Sequence, residues 1–174
     1  MSDLIIAIYR TQNPAFVAGE ALASFQQEAG TEPEDIVAVT RDASGRVSLN
    51  QSIDLASGRP LGGGNWGVLI GTMFLDRRKP QPDEKGLAAR FRAVGLDQAF
   101  LQEITASLGK GGAAIGMRVR LLGKDRVIEK LTSLPGKPKI CWTRLSPDTE
   151  DALLDMQGQI PDAVVNQHAA WDAP

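Results

Sequence analysis

The chain has 174 residues, of which 43% are hydrophobic and 23% are charged, and its formal net charge is −2. This length supports one hydrophobic core and is short for two full domains. The nearly balanced charge excludes the general basic footprint of a nucleic-acid-binding protein. The single cysteine, Cys141, excludes an internal disulfide and fits a reducing cytoplasm. The opening residues "MSDLIIAIYR" lack a basic n-region and a cleavage site, so we expect no signal peptide.

The first third of the chain predicts the element order β-α-β-β. The isoleucine-rich run 4–9 is typical of a buried central strand, and Asn13 followed by Pro14 indicates the start of a helix. Residues 36–40 predict a second buried strand. After the turn "RDASGR", apolar and polar residues alternate over 47–53, which predicts a half-exposed third strand.

Charged and polar sequence dominates the middle of the chain. The stretch "DRRKPQPDEK" predicts a solvated loop, and a short helix is expected to follow it over residues 86–94. Asp97 is placed to cap a clearer helix, in which three apolar side chains stack at i, i+4 and i+8: Phe100, Ile104 and Leu108.

A second β-α-β unit follows. It consists of a strand over residues 113–120, a helix from about Lys124 and a last strand over 139–145. Ser146 followed by Pro147 then indicates the start of an acidic C-terminal helix.

These elements predict a ferredoxin-like α+β sandwich of the form βαβ-β-(helical insert)-βαβ with a C-terminal helix. We expect one domain over residues 1–158, a glycine-rich helical insert at about 58–95, and a loose C-terminal tail over 159–174. The helices are expected to cover one face of an antiparallel sheet. The other face then needs a cover, which either a dimer packing sheet to sheet or the glycine-rich insert would supply.

The block "GGGNWGVLIGTMF" at residues 62–74 carries two glycine patterns. Gly62, Gly64 and Gly67 match the dinucleotide fingerprint G-x-G-x-x-G. That fingerprint works when a strand runs directly into the turn, whereas "SGRP" precedes this one. Nucleotide binding is therefore the least favoured interpretation of the block.

The second pattern predicts a helix that packs closely against another element or subunit. Two overlapping G-x-x-x-G steps place glycines on one stripe of a helix, with large apolar residues on its other faces. The predicted helix-packing interface consists of Gly63, Trp66, Gly67, Ile70, Gly71 and Phe74. Its apolar run, residues 61–75, is shorter than the roughly 20 residues that span a bilayer. The basic flank formed by Arg77, Arg78 and Lys79 would suit contact with anionic lipid or another anion, although a solvated flank is the commoner case.

Four segments together resemble a bacterial family, domain of unknown function 1269. They are "VTRDASGRVSLNQ", "WGVLIG", "GLDQAFLQEITASLGKGGAAIGMRV" and "LTSLPGKPKICWTRLSPDTEDALL", and the resemblance extends from about Leu4 to Leu154. Members of that family are often described as predicted membrane proteins, because a second apolar Gly/Ala-rich helix completes a hairpin. Here the polar stretch "DRRKPQPDEKGLAARFRAVG" replaces that second helix, which weakens the membrane interpretation. The resemblance implies no catalytic residues.

No cluster in the sequence predicts a catalytic, cofactor or metal site. His168 is the single histidine and lies in the tail, where we expect a plain surface role. Cys141 is predicted to be a small buried hydrophobic residue rather than a nucleophile. Four arginines on or beside strands would line an anion-binding surface if the sheet were open, but we favour edge charges that oppose aggregation: Arg10, Arg118, Arg120 and Arg144.

Three functional hypotheses remain. The first is a non-enzymatic protein that self-associates, preferably as a dimer, through its sheet and its glycine-rich helix, with a regulatory or stress-related role. The second is a protein peripheral to the inner membrane, in which the helix and its basic flank contact lipid. The third is a small-ligand or nucleotide-binding module that uses the glycine turn.

Overall fold

A computed structural model describes residues 2–28, 36–51, 69–70, 73–74, 91–120 and 123–159. The described part of the chain is a mixed α+β structure, which confirms the predicted class. Its elements in chain order are β1 Ser2–Tyr9, α1 Gln12–Glu28, β2 Ile36–Arg41, β3 Val47–Gln51, α2 Gln98–Ser107, β4 Ala113–Arg120, α3 Lys124–Ser133, β5 Lys139–Leu145 and α4 Pro147–Gln159.

The described strands form one five-stranded sheet in the order β3-β2-β4-β1-β5, and every neighbouring pair is antiparallel. β1 lies between β4 and β5, so that Ile5 is in register with Met117 on one side and Trp142 on the other. β1 and β2 run in the same direction, and β4 lies between them. β4 and β5 also run in the same direction, and β1 lies between them. Each β-α-β unit therefore receives a strand of the other unit, which interlocks the two halves of the chain.

Helices cover both faces of this sheet. On one face, alternate residues of β1 (Ile5, Ala7 and Tyr9) pack with apolar side chains of α1 and α3. On the other face, Leu4, Ile6 and Ile8 pack with α2, α4 and the helical residues of the glycine-rich insert. The expectation that helices would cover only one face was wrong. All eight residues of β1 are buried, and a strand that is apolar on both sides needs a cover on each.

The glycine-rich insert covers part of the second sheet face, which was one of the two alternatives predicted from the sequence. Leu69, Ile70, Met73 and Phe74 are at most 3% exposed and belong to the core cluster that contains Leu4 and Ile6. A sheet-to-sheet dimer through this face would have to displace these four side chains.

Several predicted helix boundaries agree with the structure. Asp97 caps α2 by accepting a hydrogen bond from the Ala99 N–H at 3.0 Å, and Ser146 Oγ accepts one from the Thr149 N–H at 3.2 Å at the start of α4. α1 differs, because it begins at Gln12, one residue before its predicted cap Asn13. Pro14 is tolerated there because the first turn of a helix leaves its N–H groups without helical partners.

Gly116 in the middle of β4 lets the insert approach the sheet. A Cβ at this position would lie 2.5 Å from Ile70 Cγ2 and 2.9 Å from Ile6 Cδ1. Glycine inside a strand usually weakens it, and here it marks a close approach of the covering layer. The apolar side chain of Ile70 thus occupies the space that a larger residue at 116 would fill.

We expect Gly116→Ala to lower the free energy of unfolding by about 1–3 kcal/mol, because the added methyl group overpacks this contact. Urea denaturation followed by circular dichroism measures the change. Gly109→Ala is the matched control, since a Cβ there meets nothing within 4 Å. The control should stay within about 0.5 kcal/mol of the wild type.

Ile70→Leu provides a second test, because leucine lacks the Cγ2 atom that approaches Gly116. The double variant Gly116→Ala, Ile70→Leu should lose less stability than the two single variants added together. Strictly additive losses would contradict the packing of Ile70 on Gly116.

Candidate functional site

The predicted helix-packing interface lies partly within the described residues. Ile70 and Phe74 are both 0% exposed and contact the core of their own chain. Its other members lie outside the described ranges, and so does the basic flank: Gly63, Trp66, Gly67 and Gly71, with Arg77, Arg78 and Lys79. What the glycine stripe contacts therefore stays a prediction. Among the helices described, none has both the length and the apolar character needed to cross a membrane.

An ion pair joins the first strand to the last; its carboxylate is fully buried, whereas its guanidinium side chain is 47% exposed. Asp3 on β1 is 0% exposed, and its carboxylate accepts two hydrogen bonds from Arg144 on β5, from Nε to Oδ1 at 3.0 Å and from Nη2 to Oδ2 at 3.3 Å. These hydrogen bonds and the charge of Asp3 raise the pKa of Arg144. The two parallel bonds use the planar geometry that a guanidinium shares with a carboxylate.

A second ion pair joins the sheet to the C-terminal helix. Arg118 Nη1 on β4 lies 3.2 Å from Glu150 Oε2 on α4, and both side chains are mostly buried. Arg118 and Arg144 were candidates for an anion-binding surface on an open sheet. Each instead binds a carboxylate of its own chain. The two arginines also lie on opposite faces of the sheet, because their register partners on β1, Leu4 and Asp3, are consecutive residues.

The edge strand β5 carries an exposed aromatic side chain. Trp142 is 44% exposed and lies at the centre of the seven residues of the strand. Lys124 Nζ lies 3.5 Å from the centroid of its ring, which is a cation–π contact. At the start of β5, Lys139 Nζ lies 3.4 Å from Glu103 Oε1 of α2.

Arg41 is a buried charged residue that was not among the candidates predicted from the sequence. It is the last residue of β2 and is 2% exposed. Its Nε and Nη2 atoms are buried and have no hydrogen-bond partner. The alternation of the strand contained a signal, because Val37, Val39 and Arg41 share one side and the two valines are core residues.

The described residues contain no group of three or more metal-ligating side chains of the His, Cys, Asp and Glu types. His168 lies outside the described residues. Cys141 is 4% exposed, which confirms the prediction of a buried hydrophobic role. Burial raises the pKa of its thiol to about 11, with further contributions from the charge of Glu103 and a hydrogen bond to it.

The raised pKa of Cys141 predicts a slow reaction with iodoacetamide at pH 8. A shift from 9.0 to about 11 lowers the thiolate fraction about 100-fold, and only the thiolate attacks the reagent. Mass spectrometry of the native protein should show a rate at least that much lower than in concentrated urea. Equal rates in the two conditions would contradict the burial of this thiol.

The two ion pairs of β5 predict unequal losses of stability. Arg144→Met leaves the Asp3 carboxylate buried without its partner, so we expect a clear loss of stability. Lys139→Met removes one member of an exposed pair, which is worth at most about 1 kcal/mol. The midpoints of urea denaturation compare the two variants, and a larger loss in Lys139→Met would contradict this assignment.

Comparisons with known proteins give one match. No curated protein and no solved structure matches the chain. The model of a family described as "Protein of unknown function (DUF1269)" matches residues 60–157, which is more than half of the chain. The match is narrower than the resemblance seen in the sequence, which extends from about Leu4 to Leu154, since β1, α1, β2 and β3 precede residue 60. The chain therefore belongs to the DUF1269 family of proteins of unknown function.

Proposed function

We propose that this protein is a non-enzymatic, self-associating module of ferredoxin-like fold, in which two copies pair through the edge strand β5. The strand order supports the fold assignment. Four of the strands have the order β2-β4-β1-β5, which is the order of two interlocked split β-α-β units. The fifth strand, β3, forms a hairpin with β2 and extends the sheet at that edge. Any regulatory role would then act through assembly rather than through a reaction.

The exposure of Trp142 on β5 carries this proposal. An edge strand presents unpaired backbone N–H and C=O groups that can pair with another strand. Charged side chains usually oppose such pairing, but Lys139 and Arg144 each have a carboxylate partner in the same chain. The edge of β5 therefore has little unbalanced charge and a large apolar side chain at its centre.

The sequence of β5 is also compatible with pairing to a copy of itself. A two-fold axis at Trp142 would place this residue opposite its own copy in an antiparallel ladder. Arg144 would then face the copy of Ile140, and Lys139 would face the copy of Leu145. No like charges lie directly opposite one another in this register, and the aromatic pair at the axis is favourable.

Trp142→Glu tests the proposal, because it places two carboxylates opposite each other at the axis. Native mass spectrometry and light scattering over a range of protein concentrations should show a wild-type dimer and a monomeric variant. Lys124 can pair with the new carboxylate, so we expect the variant to keep its circular dichroism spectrum.

Phe16→Glu is the matched control. Phe16 is 38% exposed, which is close to the exposure of Trp142, but it lies on α1. This variant should keep the wild-type mass. A monomeric wild type, or a dimer that survives Trp142→Glu, would overturn the proposal.

A further inference from the structure

The end of β2 holds the backbone of Arg41 in a fixed place. Its N–H donates a hydrogen bond to the Gly112 carbonyl at 3.0 Å, and its carbonyl accepts one from the Gly111 N–H at 2.8 Å. These two bonds join Arg41 to the turn between α2 and β4. That turn is itself tightly packed, since a Cβ on Gly112 would lie 2.7 Å from the Tyr9 carbonyl oxygen. The base of the Arg41 side chain is therefore well positioned.

The side chain of Arg41 lies on the sheet face that α2, α4 and the insert cover. Val37 and Val39, which precede it at alternate positions of β2, belong to the core cluster on that face. Val47, its register partner on β3, belongs to the same cluster. A guanidinium stays charged at any ordinary pH, and a charge in apolar surroundings is strongly unfavourable unless an opposite charge pairs with it.

Two nitrogens on one edge of this planar guanidinium suit one kind of ligand. Nε and Nη2 are the buried atoms of Arg41 that meet no acceptor. The same two nitrogens of Arg144 bind both carboxylate oxygens of Asp3, at 3.0 and 3.3 Å. Arg144 thus shows that this pair of N–H groups binds the two oxygens of a single oxyanion.

Four carboxylates of the described residues have partners other than Arg41. Asp42, the next residue, accepts hydrogen bonds at Oδ1 from Ser44 Oγ at 2.7 Å and from the Arg46 N–H at 2.8 Å. These bonds lower the pKa of Asp42 and fix the hairpin turn. Asp3, Glu103 and Glu150 pair with Arg144, Lys139 and Arg118.

We propose that Arg41 anchors a buried binding site for a small oxyanion, a molecule bearing a carboxylate or phosphate group that occupies Nε and Nη2 together. The site lies at the end of β2, on the sheet face where Val37, Val39 and Val47 belong to the core. The ligand neutralises the buried charge, so its binding stabilises the folded chain. This inference is independent of the pairing of β5.

Thermal denaturation in the presence of inorganic phosphate, acetate or chloride at equal ionic strength tests the site. Phosphate or acetate at about 100 times its dissociation constant should raise the Tm of the wild type by roughly 5–10 °C. Chloride, which has one acceptor atom and so cannot form two parallel hydrogen bonds, serves as the control for screening. Whichever of phosphate and acetate raises the Tm more shows whether the ligand bears a phosphate or a carboxylate group.

Variants assign the effect to this residue. Arg41→Gln should abolish the rise in Tm, and Arg41→Lys should reduce it, because an ammonium lacks the two parallel donors. Arg92→Gln, which removes the same charge from an exposed position, should keep the full response. If Arg41→Gln does not fold, the Nε–H resonance of Arg41 in the wild type decides the question by its shift during a phosphate or acetate titration.

Two results would overturn the proposal. The first is a Tm and an Nε–H resonance that do not distinguish the three anions. An equal response to all three would mean ionic screening, and no response to any would mean that a carboxylate of the chain outside the described residues neutralises Arg41. The second is an Arg41→Gln variant that responds to phosphate or acetate as the wild type does.

Discussion

The burial of β1 on both faces is the constraint on which the rest of the described structure depends. This strand pairs with β4 on one side and β5 on the other, and all eight of its residues are buried. A strand with apolar residues on both sides must be covered twice, because each exposed face would leave a row of apolar side chains in water. α1 and α3 cover the face that carries Ile5 and Ala7, and α2, α4 and the insert cover the face that carries Leu4 and Ile6.

The covers on both faces bear on the two interactions that we propose. A sheet with one open face offers a broad surface for a ligand or a second subunit, and here that surface is filled by side chains such as Ile70 and Phe74. Among the described residues, the two proposed interactions therefore rest on the edge strand β5 and on the buried guanidinium of Arg41. Two guanidiniums differ in their partners: Arg144, which is partly exposed, binds the buried carboxylate of Asp3, whereas Nε and Nη2 of Arg41 are buried and have no hydrogen-bond partner.

Local signals in the sequence predicted the elements well, because each signal depends on neighbouring residues only. Asp97 and Ser146 cap helices as expected, and the strands lie within a few residues of their predicted bounds. Family membership also followed from the order of short segments. Arg41 and Asp3 were not recognised as buried charges, because their burial depends on elements far away in the chain. Asp3, for example, is neutralised by Arg144 across a separation of 141 residues.

The sequence by itself determined the α+β class, the positions of most helices and strands, and the family. Periodicity, capping residues and turn residues act over a few positions, so one chain without relatives is enough to interpret them. Only the tertiary structure decided that both sheet faces are covered and that Gly116 receives Ile70. It alone also showed that Arg41 lies among core residues with two donors unmatched. These features arise from contacts between distant segments, whose free energies depend on packing and on exclusion of water rather than on local pattern.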